Sequence, residues 1–146
     1  MKLALAVSHT AWKGKTAMLR GVIRQAAAAA LAHAGKKDAA LSVALVGNAE
    51  MQRLNHDFRG KKKPTNVLAF PSGEANYLGD IAIALDVVTG EAKAQGKRFP
   101  DHLSHLTVHA VLHLLGRDHR IAAEAEAMEQ EEVLILQRLN ISNPYL

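Results

Sequence analysis

Cysteine is absent from this sequence of 146 residues. A chain without cysteine cannot form a disulfide scaffold, a cysteine nucleophile, an iron–sulfur cluster or a thiolate zinc site. Any transition-metal site must therefore use histidine and carboxylate ligands, and the sequence holds 8 histidines. Because a lack of cysteine fits a reducing compartment, we expect a cytoplasmic protein.

Aromatic residues and long apolar runs are also scarce. Aromatics make up 4% of the chain, so a platform that stacks several bases is not expected. The first apolar run ends at Ser8, before the ~7–15 residues that a secretory signal needs, and the alanine-rich run 26–32 is far below the ~18 of a membrane span. We therefore expect a buried strand at the N-terminus and no membrane association.

The charge is uneven along the chain. Lysine and arginine number 18 and aspartate and glutamate 14, a net charge of +4. Residues 1–119 hold 16 of the basic and 9 of the acidic residues, whereas residues 120–146 hold 2 and 5. The basic part suits a polyanionic partner, although solvated surface lysines explain it equally well. The length and the 49% hydrophobic content fit one globular domain, residues 1–146.

Hydrophobic spacing and turn residues predict the secondary structure. The predicted strands are Leu3–Val7, Leu41–Val46, Val67–Phe70 and Ile81–Leu85. The predicted helices run over Lys13–His33, Asn48–Asp57, Asp86–Gly96, Pro100–Leu115 and Ala122–Leu139. This order predicts an α+β fold, in which a small mixed sheet of about four strands packs with about five helices.

Two details of these helices follow from side-chain chemistry and from helical spacing. Asn48 and Asp86 are expected to be N-caps, because their side chains can accept a hydrogen bond from the first helical turn. In the last helix we expect its glutamates outside and its apolar residues inside, namely Met128, Leu134, Leu136 and Leu139.

Five of the eight histidines lie within residues 102–119. His109 and His113 are four residues apart and would share one face of a helix, one turn from each other. Gly116 can adopt a positive φ and end the helix, so that the chain could bring His119 to the same ion. Three imidazoles leave one tetrahedral position open for water, as in a catalytic zinc site. We expect one Zn²⁺ per chain, although Ni²⁺ or another divalent metal would also suit these ligands.

The neighbours of these histidines have more than one interpretation. We expect His102 and His105 to be surface polar residues, with a contact behind the metal ligands or a contact to the substrate as the alternative for either. Asp118 could orient a ligand imidazole or cap the turn. The spacing of the histidines is that of a metzincin protease, but Ala110 stands where that class has its general-base glutamate.

The segment 109–119 resembles the signature of the YbeY family, H-G-x-L-H-L-x-G-y-D-H. It reads H-A-V-L-H-L-L-G-R-D-H, with Ala110 in place of glycine and Arg117 in place of the usual aromatic residue. Residues 54–71 resemble the family's LN..FRGKD.PTDVLSFP segment, with Asn66 where aspartate is common. Residues 78–81 match its LGDI motif, and residues 143–145 resemble its tail. Because these motifs are collinear over most of the chain, the sequence is identified as a member of this family.

The resemblance implies a single-strand-specific, metal-dependent endoribonuclease with a zincin-like metal helix. Such an enzyme acts in maturation of the 16S rRNA 3′ end and in late ribosome quality control. Its catalytic residues would be His113 and Arg59, whose guanidinium can clamp the scissile phosphate. Further phosphate contacts would come from Lys61, Lys62 and Lys63. The implied partners are single-stranded rRNA and the small ribosomal subunit or its proteins, and we expect a monomer.

Two other functions fit the same residues. One is another zinc metallohydrolase, such as a peptidase whose general base is Asp80 or Asp118. The other is a non-catalytic ribosome assembly factor with a structural metal. Activity on RNA but not on peptides would disfavour the first, and a metal with an exchangeable water would disfavour the second.

Overall fold

The computed structural model describes residues 1–59, 65–118 and 120–146, and of Arg59 only the backbone. Within these ranges the chain has four strands, β1 (Lys2–Val7), β2 (Ala40–Val46), β3 (Val67–Pro71) and β4 (Tyr77–Ala84). It has five α-helices, α1 (Thr16–His33), α2 (Asn48–Arg59), α3 (Leu85–Ala94), α4 (Phe99–Leu114) and α5 (Ala122–Gln137). The predicted α+β class and order of elements are therefore confirmed. None of the described helices is both long and apolar enough to span a membrane.

The four strands form one mixed sheet in the order β1-β2-β4-β3. β1, β2 and β4 run parallel, and β3 pairs antiparallel with β4 at the far edge. β1 lies at the opposite edge, and its residues alternate between exposed and half-buried. The expectation of a buried strand there was wrong, because an edge strand with one covered face buries only alternate side chains.

The two faces of the sheet contribute to two cores. Ile81 and Ile83 of β4 belong to the larger core, which also contains the buried apolar residues of α1 and α4. Ala82 and Ala84 face the other way and join a smaller core with Met51 of α2. This division follows from the two-residue period of a strand, which sends successive side chains to opposite faces.

Helix α4 is the central helix of the larger core. It packs against α1, α3, α5, β3 and β4, and 10 of its 16 residues are buried. Between residues 101 and 113, the residues that remain partly open recur every fourth position, at Asp101, His105, His109 and His113. Because positions four apart lie on one face of a helix, α4 leaves a single polar stripe uncovered.

The predicted N-caps were wrong at both positions. Helix α3 begins after Ala84, without a side-chain cap. The Asp86 carboxylate instead accepts a hydrogen bond from Trp12 Nε1 at 3.1 Å and lies 2.7 Å from His9 Nε2. The Trp12 bond lowers the pKa of Asp86 below its ordinary value. Helix α2 already includes Asn48.

The start of the first helix also differs from its prediction. Trp12 lies in a 3-10 turn, Thr10–Lys15, and α1 begins only at Thr16. The predicted helix start at Lys13 falls inside this turn. The bond from Trp12 to Asp86 joins the turn to α3, a long-range contact that local sequence spacing does not reveal.

The set of α5 residues that point into the core also differs from the prediction. Leu134 is 53% exposed, whereas Glu132 is fully buried. The buried residues of α5 are Met128, Glu132, Ile135 and Leu136. Their spacing of three and four residues defines one helical face, and Leu134 falls outside it. The core-facing side of α5 therefore includes the Glu132 carboxylate, which we expected to lie in solvent.

Candidate functional site

A cleft of about 890 Å³ opens beside β3 and the C-terminal half of α4. The whole of β3 lines it on one side, and His109, Ala110 and His113 line it from α4. Phe58, near the end of α2, and Thr65 and Asn66, just before β3, also line it. The residues after α4 that complete the described lining are Gly116, Arg117, Asp118 and Arg120. The cleft therefore combines an extended strand, two imidazoles and a polar segment.

The two histidines that line the cleft, His109 and His113, face each other with their Nε2 atoms. His109 Nε2 and His113 Nε2 lie 3.2 Å apart, and the ring centroids are separated by 4.6 Å. Two nitrogens bound to one tetrahedral Zn²⁺, each at about 2.0–2.1 Å, would be about 3.3 Å apart. The pair therefore fits two ligands of one ion.

A buried carboxylate holds the other nitrogen of His109. Glu132 Oε2 lies 2.6 Å from His109 Nδ1. An ionised carboxylate only accepts hydrogen bonds, so His109 must carry its proton on Nδ1. In the neutral ring Nε2 then carries the lone pair and faces His113, which is the tautomer that a metal ligand needs.

The same carboxylate receives two more hydrogen bonds. His105 Nε2 lies 2.7 Å from Glu132 Oε1, and the Tyr145 hydroxyl donates to that oxygen. Burial alone would raise the pKa of Glu132, but the bonds from His105, His109 and Tyr145 outweigh it and lower the pKa to about 2. Burial and the Glu132 carboxylate raise the pKa of Tyr145. Glu132 is therefore a charged group at neutral pH, held by donors from α4 and the C-terminal tail.

The remaining predicted metal and RNA residues lie partly beyond the described ranges. His119, Lys61, Lys62 and Lys63 are outside the described residues. Arg59 is the last residue of α2, and it directly follows the cleft residue Phe58. Among the residues that the structure describes, no group of three His, Asp or Glu side chains is arranged to hold a metal. The prediction of a three-histidine site thus stays a prediction, with two of its members brought together.

The expectation that His102 and His105 are surface residues was wrong. His102 is 4% exposed, and its Nε2 lies 2.9 Å from a Glu91 oxygen. The side chain of His105 is 12% exposed and pairs with Glu132. Both rings are covered because α3 and α5 pack on α4 and bring a glutamate to each. Nδ1 of each ring is buried and has no hydrogen-bond partner among the described residues.

The segment after α4 brings paired charges to the cleft. Arg120 Nε lies 2.7 Å from Asp118 Oδ2, and the Arg120 side chain is 84% exposed. Arg117 makes two contacts of 3.1 Å with the Glu131 carboxylate, and these lower the pKa of Glu131. The arginine at position 117 therefore joins the chain after α4 to α5.

The two candidate bases differ in position. Asp118 lines the cleft, but Asp80 is not among the described lining residues. Asp80 instead accepts a hydrogen bond from the Tyr77 hydroxyl. Of the two, only Asp118 is placed near the histidine pair.

Sequence reasoning missed four residues of this site: Glu132, Phe58, Phe70 and Arg120. We expected the glutamates of α5 in solvent, although the spacing of Glu132, four residues after the inward Met128, is a signal for the buried face. Phe58 and Phe70 form an edge-to-face pair with centroids 5.0 Å apart. They are 12 positions apart on different elements, so no local pattern relates them. No role was predicted for Arg120, because it comes directly after His119, the last residue of the histidine motif.

The sequence matches known proteins over most of its length. The family model described as Endoribonuclease YbeY matches residues 6–140. A relative from Chelativorans sp. (strain BNC1), named Endoribonuclease YbeY, is 49% identical over 136 residues, covering 88% of this chain and 83% of its own. One of the same name from Alkalilimnicola ehrlichii is 52% identical over 127 residues, covering 82% and 75%.

A solved structure supports the fold. The solution structure of TM1509 from Thermotoga maritima aligns with a TM-score of 0.53 at 22% identity, covering 94% of this chain and 91% of that one. At this identity the likeness shows the α+β architecture alone. The family match and the identity to the curated relatives carry the assignment, and the chain belongs to the YbeY endoribonuclease family.

Proposed function

We propose that this chain is a single-strand-specific, metal-dependent endoribonuclease that matures the 3′ end of 16S rRNA and takes part in late ribosome quality control. The observation that carries the proposal is the His109–His113 pair, with Nε2 atoms 3.2 Å apart in an open cleft. The relatives named Endoribonuclease YbeY support the substrate class. We place this activity in the cytoplasm, on a monomer.

The proposed metal site consists of His109, His113 and His119, with Zn²⁺ as the first candidate and Ni²⁺ as another. When bound, such an ion lowers the pKa of a coordinated water to ~7 and polarises a phosphate oxygen. The contribution of the chain is to orient the ligands. The Glu132 contact holds the Nδ1 proton of His109 and directs its Nε2 lone pair toward His113.

The proposed RNA contacts lie around this pair. Arg59 would clamp the scissile phosphate and stabilise the charge that develops on it. The Arg120 side chain is 84% exposed, and its described ion pair is with Asp118, so a phosphate can compete with this exposed pair at little cost. Lys61, Lys62 and Lys63 would add contacts that strengthen binding without reading sequence. Phe58 and Phe70 offer ring faces and edges to a base.

The two alternative functions make different demands on the cleft. A metzincin-type peptidase needs a carboxylate at position 110, where Ala110 is buried. Asp118 would have to serve instead, and its carboxylate already faces Arg120. A non-catalytic assembly factor with a structural metal would need a fourth protein ligand to close the coordination sphere. The need of a peptidase for a general base and the need of a structural site for a fourth protein ligand favour the nuclease over both alternatives.

The first experiment is cleavage of a single-stranded RNA that carries the 3′ precursor sequence of 16S rRNA. Wild type, a chelator-treated sample, His113→Ala and His56→Ala are purified in parallel. His56 is the matched control, since its side chain is 49% exposed and it does not line the cleft. We expect cleavage by wild type and His56→Ala, and loss of both metal and activity in His113→Ala.

Other outcomes would identify the alternatives. Equal cleavage by all four samples would indicate a contaminating nuclease. Cleavage of a peptide library but not of RNA would support a peptidase. A metal-loaded wild type that cleaves neither substrate would support the assembly factor. A metal-loaded, fully active His113→Ala would overturn the ligand assignment.

Arg59→Ala tests the phosphate clamp separately from the metal site. We expect this variant to keep its metal and to lose about 100-fold or more in turnover, the loss typical of removing one group that stabilises developing charge. Arg24→Ala, a substitution on the exposed surface of α1, is the control. Metal content is measured by elemental analysis and turnover with the same RNA. Wild-type turnover in Arg59→Ala would exclude the clamp.

A further inference from the structure

We propose that Glu132 is a positioning residue for the metal ligand His109, and that His105 and Tyr145 hold its carboxylate in place. The inference rests on the metal site of the proposed function. It concerns a residue of the acidic last helix that is remote in sequence from the histidine motif.

The first argument is geometric. Each oxygen of the Glu132 carboxylate faces one ring of α4, with Oε2 2.6 Å from His109 Nδ1 and Oε1 2.7 Å from His105 Nε2. His109 therefore uses its inner nitrogen toward the carboxylate and its outer nitrogen toward the cleft. A carboxylate behind an imidazole fixes the tautomer and the ring orientation of a metal ligand.

The second argument is burial. The Glu132 side chain is 1% exposed, while His109 is 25% exposed. A buried carboxylate is costly unless donors surround it. An apolar residue would complete the face made by Met128, Ile135 and Leu136 at lower cost. The presence of a charged residue there is explained if it acts on the histidine in front of it.

The third argument is the support behind the carboxylate. The Tyr145 hydroxyl donates to Glu132 Oε1 and lies 3.2 Å from His105 Nε2. The Tyr145 ring meets the His105 ring edge-on, with centroids 5.4 Å apart. The C-terminal tail thereby completes the cluster around the Glu132 carboxylate. The orientation of His109 thus depends on contacts from α4, α5 and the tail.

The test compares Glu132→Gln and Glu132→Leu with wild type. Glutamine keeps the shape but offers one acceptor oxygen for two ring N–H groups, and leucine offers none. Glu126→Gln, at an exposed position of the same helix, is the matched control. Tyr145→Phe keeps the ring but removes the hydroxyl that supports the carboxylate. Circular dichroism and thermal unfolding of each metal-free protein establish that it is folded.

The first readout is affinity for Zn²⁺ alone, measured by competition with a chromophoric chelator. We expect binding about 10- to 100-fold weaker in Glu132→Gln and Glu132→Leu, the range typical of losing a partner behind a metal ligand. Tyr145→Phe should show a smaller loss, and Glu126→Gln should match wild type. Unchanged affinity in both folded Glu132 variants would overturn the proposal.

The second readout is the His109 tautomer in the metal-free protein, from nitrogen chemical shifts of labelled histidine. We expect the Nδ1–H form in wild type and Glu126→Gln, and a mixture of tautomers in Glu132→Leu. A purely structural role would lower the melting temperature and leave both affinity and tautomer unchanged. If wild type binds no Zn²⁺, the metal part of the proposed function fails, and the tautomer still decides whether Glu132 orients His109.

Discussion

At the scale of single residues, Phe58 is a large apolar side chain that stays 66% exposed. Its ring contacts Phe70 edge-on, and both rings line the cleft that contains His109 and His113. An exposed aromatic pair next to a candidate catalytic centre is well placed to contact an unpaired base. The low aromatic content of the chain thus does not exclude stacking, because one pair in the cleft is enough for one base.

We predict that Phe58→Leu weakens binding of single-stranded RNA about 5- to 150-fold, since stacking contributes about 1–3 kcal/mol per base. Leucine keeps an apolar side chain, so the change isolates the ring. Fluorescence anisotropy with a labelled oligonucleotide measures the dissociation constant. Leu134→Ala, which alters an exposed apolar residue that is not among the cleft lining, is the control. An unchanged dissociation constant in Phe58→Leu would show that the ring does not contact RNA.

At the scale of elements, the cleft wall depends on the pairing of β3 with β4. Pro71 of β3 lies opposite Gly79 of β4, and Gly79 has a φ of +142°. A Cβ atom at Gly79 would overlap the carbonyl oxygen of Phe70. Glycine is therefore required here both for its backbone conformation and for the close approach of the neighbouring strand.

We predict that Gly79→Ala lowers the free energy of unfolding by about 2–5 kcal/mol, from backbone strain and from the forced separation of the strands. Because Phe70 and Pro71 line the cleft, RNA cleavage should fall as well. Urea denaturation measures the stability. Gly90→Ala in α3, where an added Cβ meets nothing within 4 Å, is the control and should be neutral or slightly stabilising. Equal stability of both variants would contradict the strand-approach argument.

At the scale of the whole molecule, Glu131 joins three distant parts of the chain. Its carboxylate contacts Arg117, which follows α4, and His33 at the end of α1, with His33 Nε2 3.2 Å away. The Arg117 contact lowers the pKa of Glu131 below its ordinary 4.5. A carboxylate whose pKa is lowered by folding contributes stability above its unfolded pKa and loses it as the pH falls through the folded pKa.

We predict that Glu131→Gln is less stable than wild type by about 1 kcal/mol at pH 7, the upper end for a partly exposed ion pair. The difference should be complete above the ordinary pKa of 4.5 and shrink as the pH falls through the lower pKa of the folded carboxylate, where the wild type takes up a proton. Urea denaturation at a series of pH values measures this difference in the free energy of unfolding. Because Glu132 and Asp86 titrate in both proteins, their contributions cancel. A difference that does not vary between pH 7 and pH 3 would show that the charge of Glu131 is not what stabilises the fold.

Much of the fold follows from local patterns. The apolar strands, the amphipathic helices and the glycine after α4 mark the elements to within a few residues, since periodicity and turn chemistry are local properties. The spacing of His109 and His113 placed both on one helical face for the same reason. The predictions that failed depend on distant contacts. Asp86 is not a cap because Trp12, 74 positions away, donates to its carboxylate.

The linear sequence was sufficient to determine the α+β class, the order of the elements and the histidine pair, because each depends on residues a few positions apart. Only the packed structure decided which side of α5 is inside. Glu132 is buried since α5 lies against α4, which brings its carboxylate to a histidine 23 positions earlier. The aromatic pair of the cleft likewise forms where α2 meets the sheet edge. The surroundings of the histidine pair are a property of this packing, in which the electrostatic cost of a buried charge is offset by donors from two separate segments, α4 and the C-terminal tail.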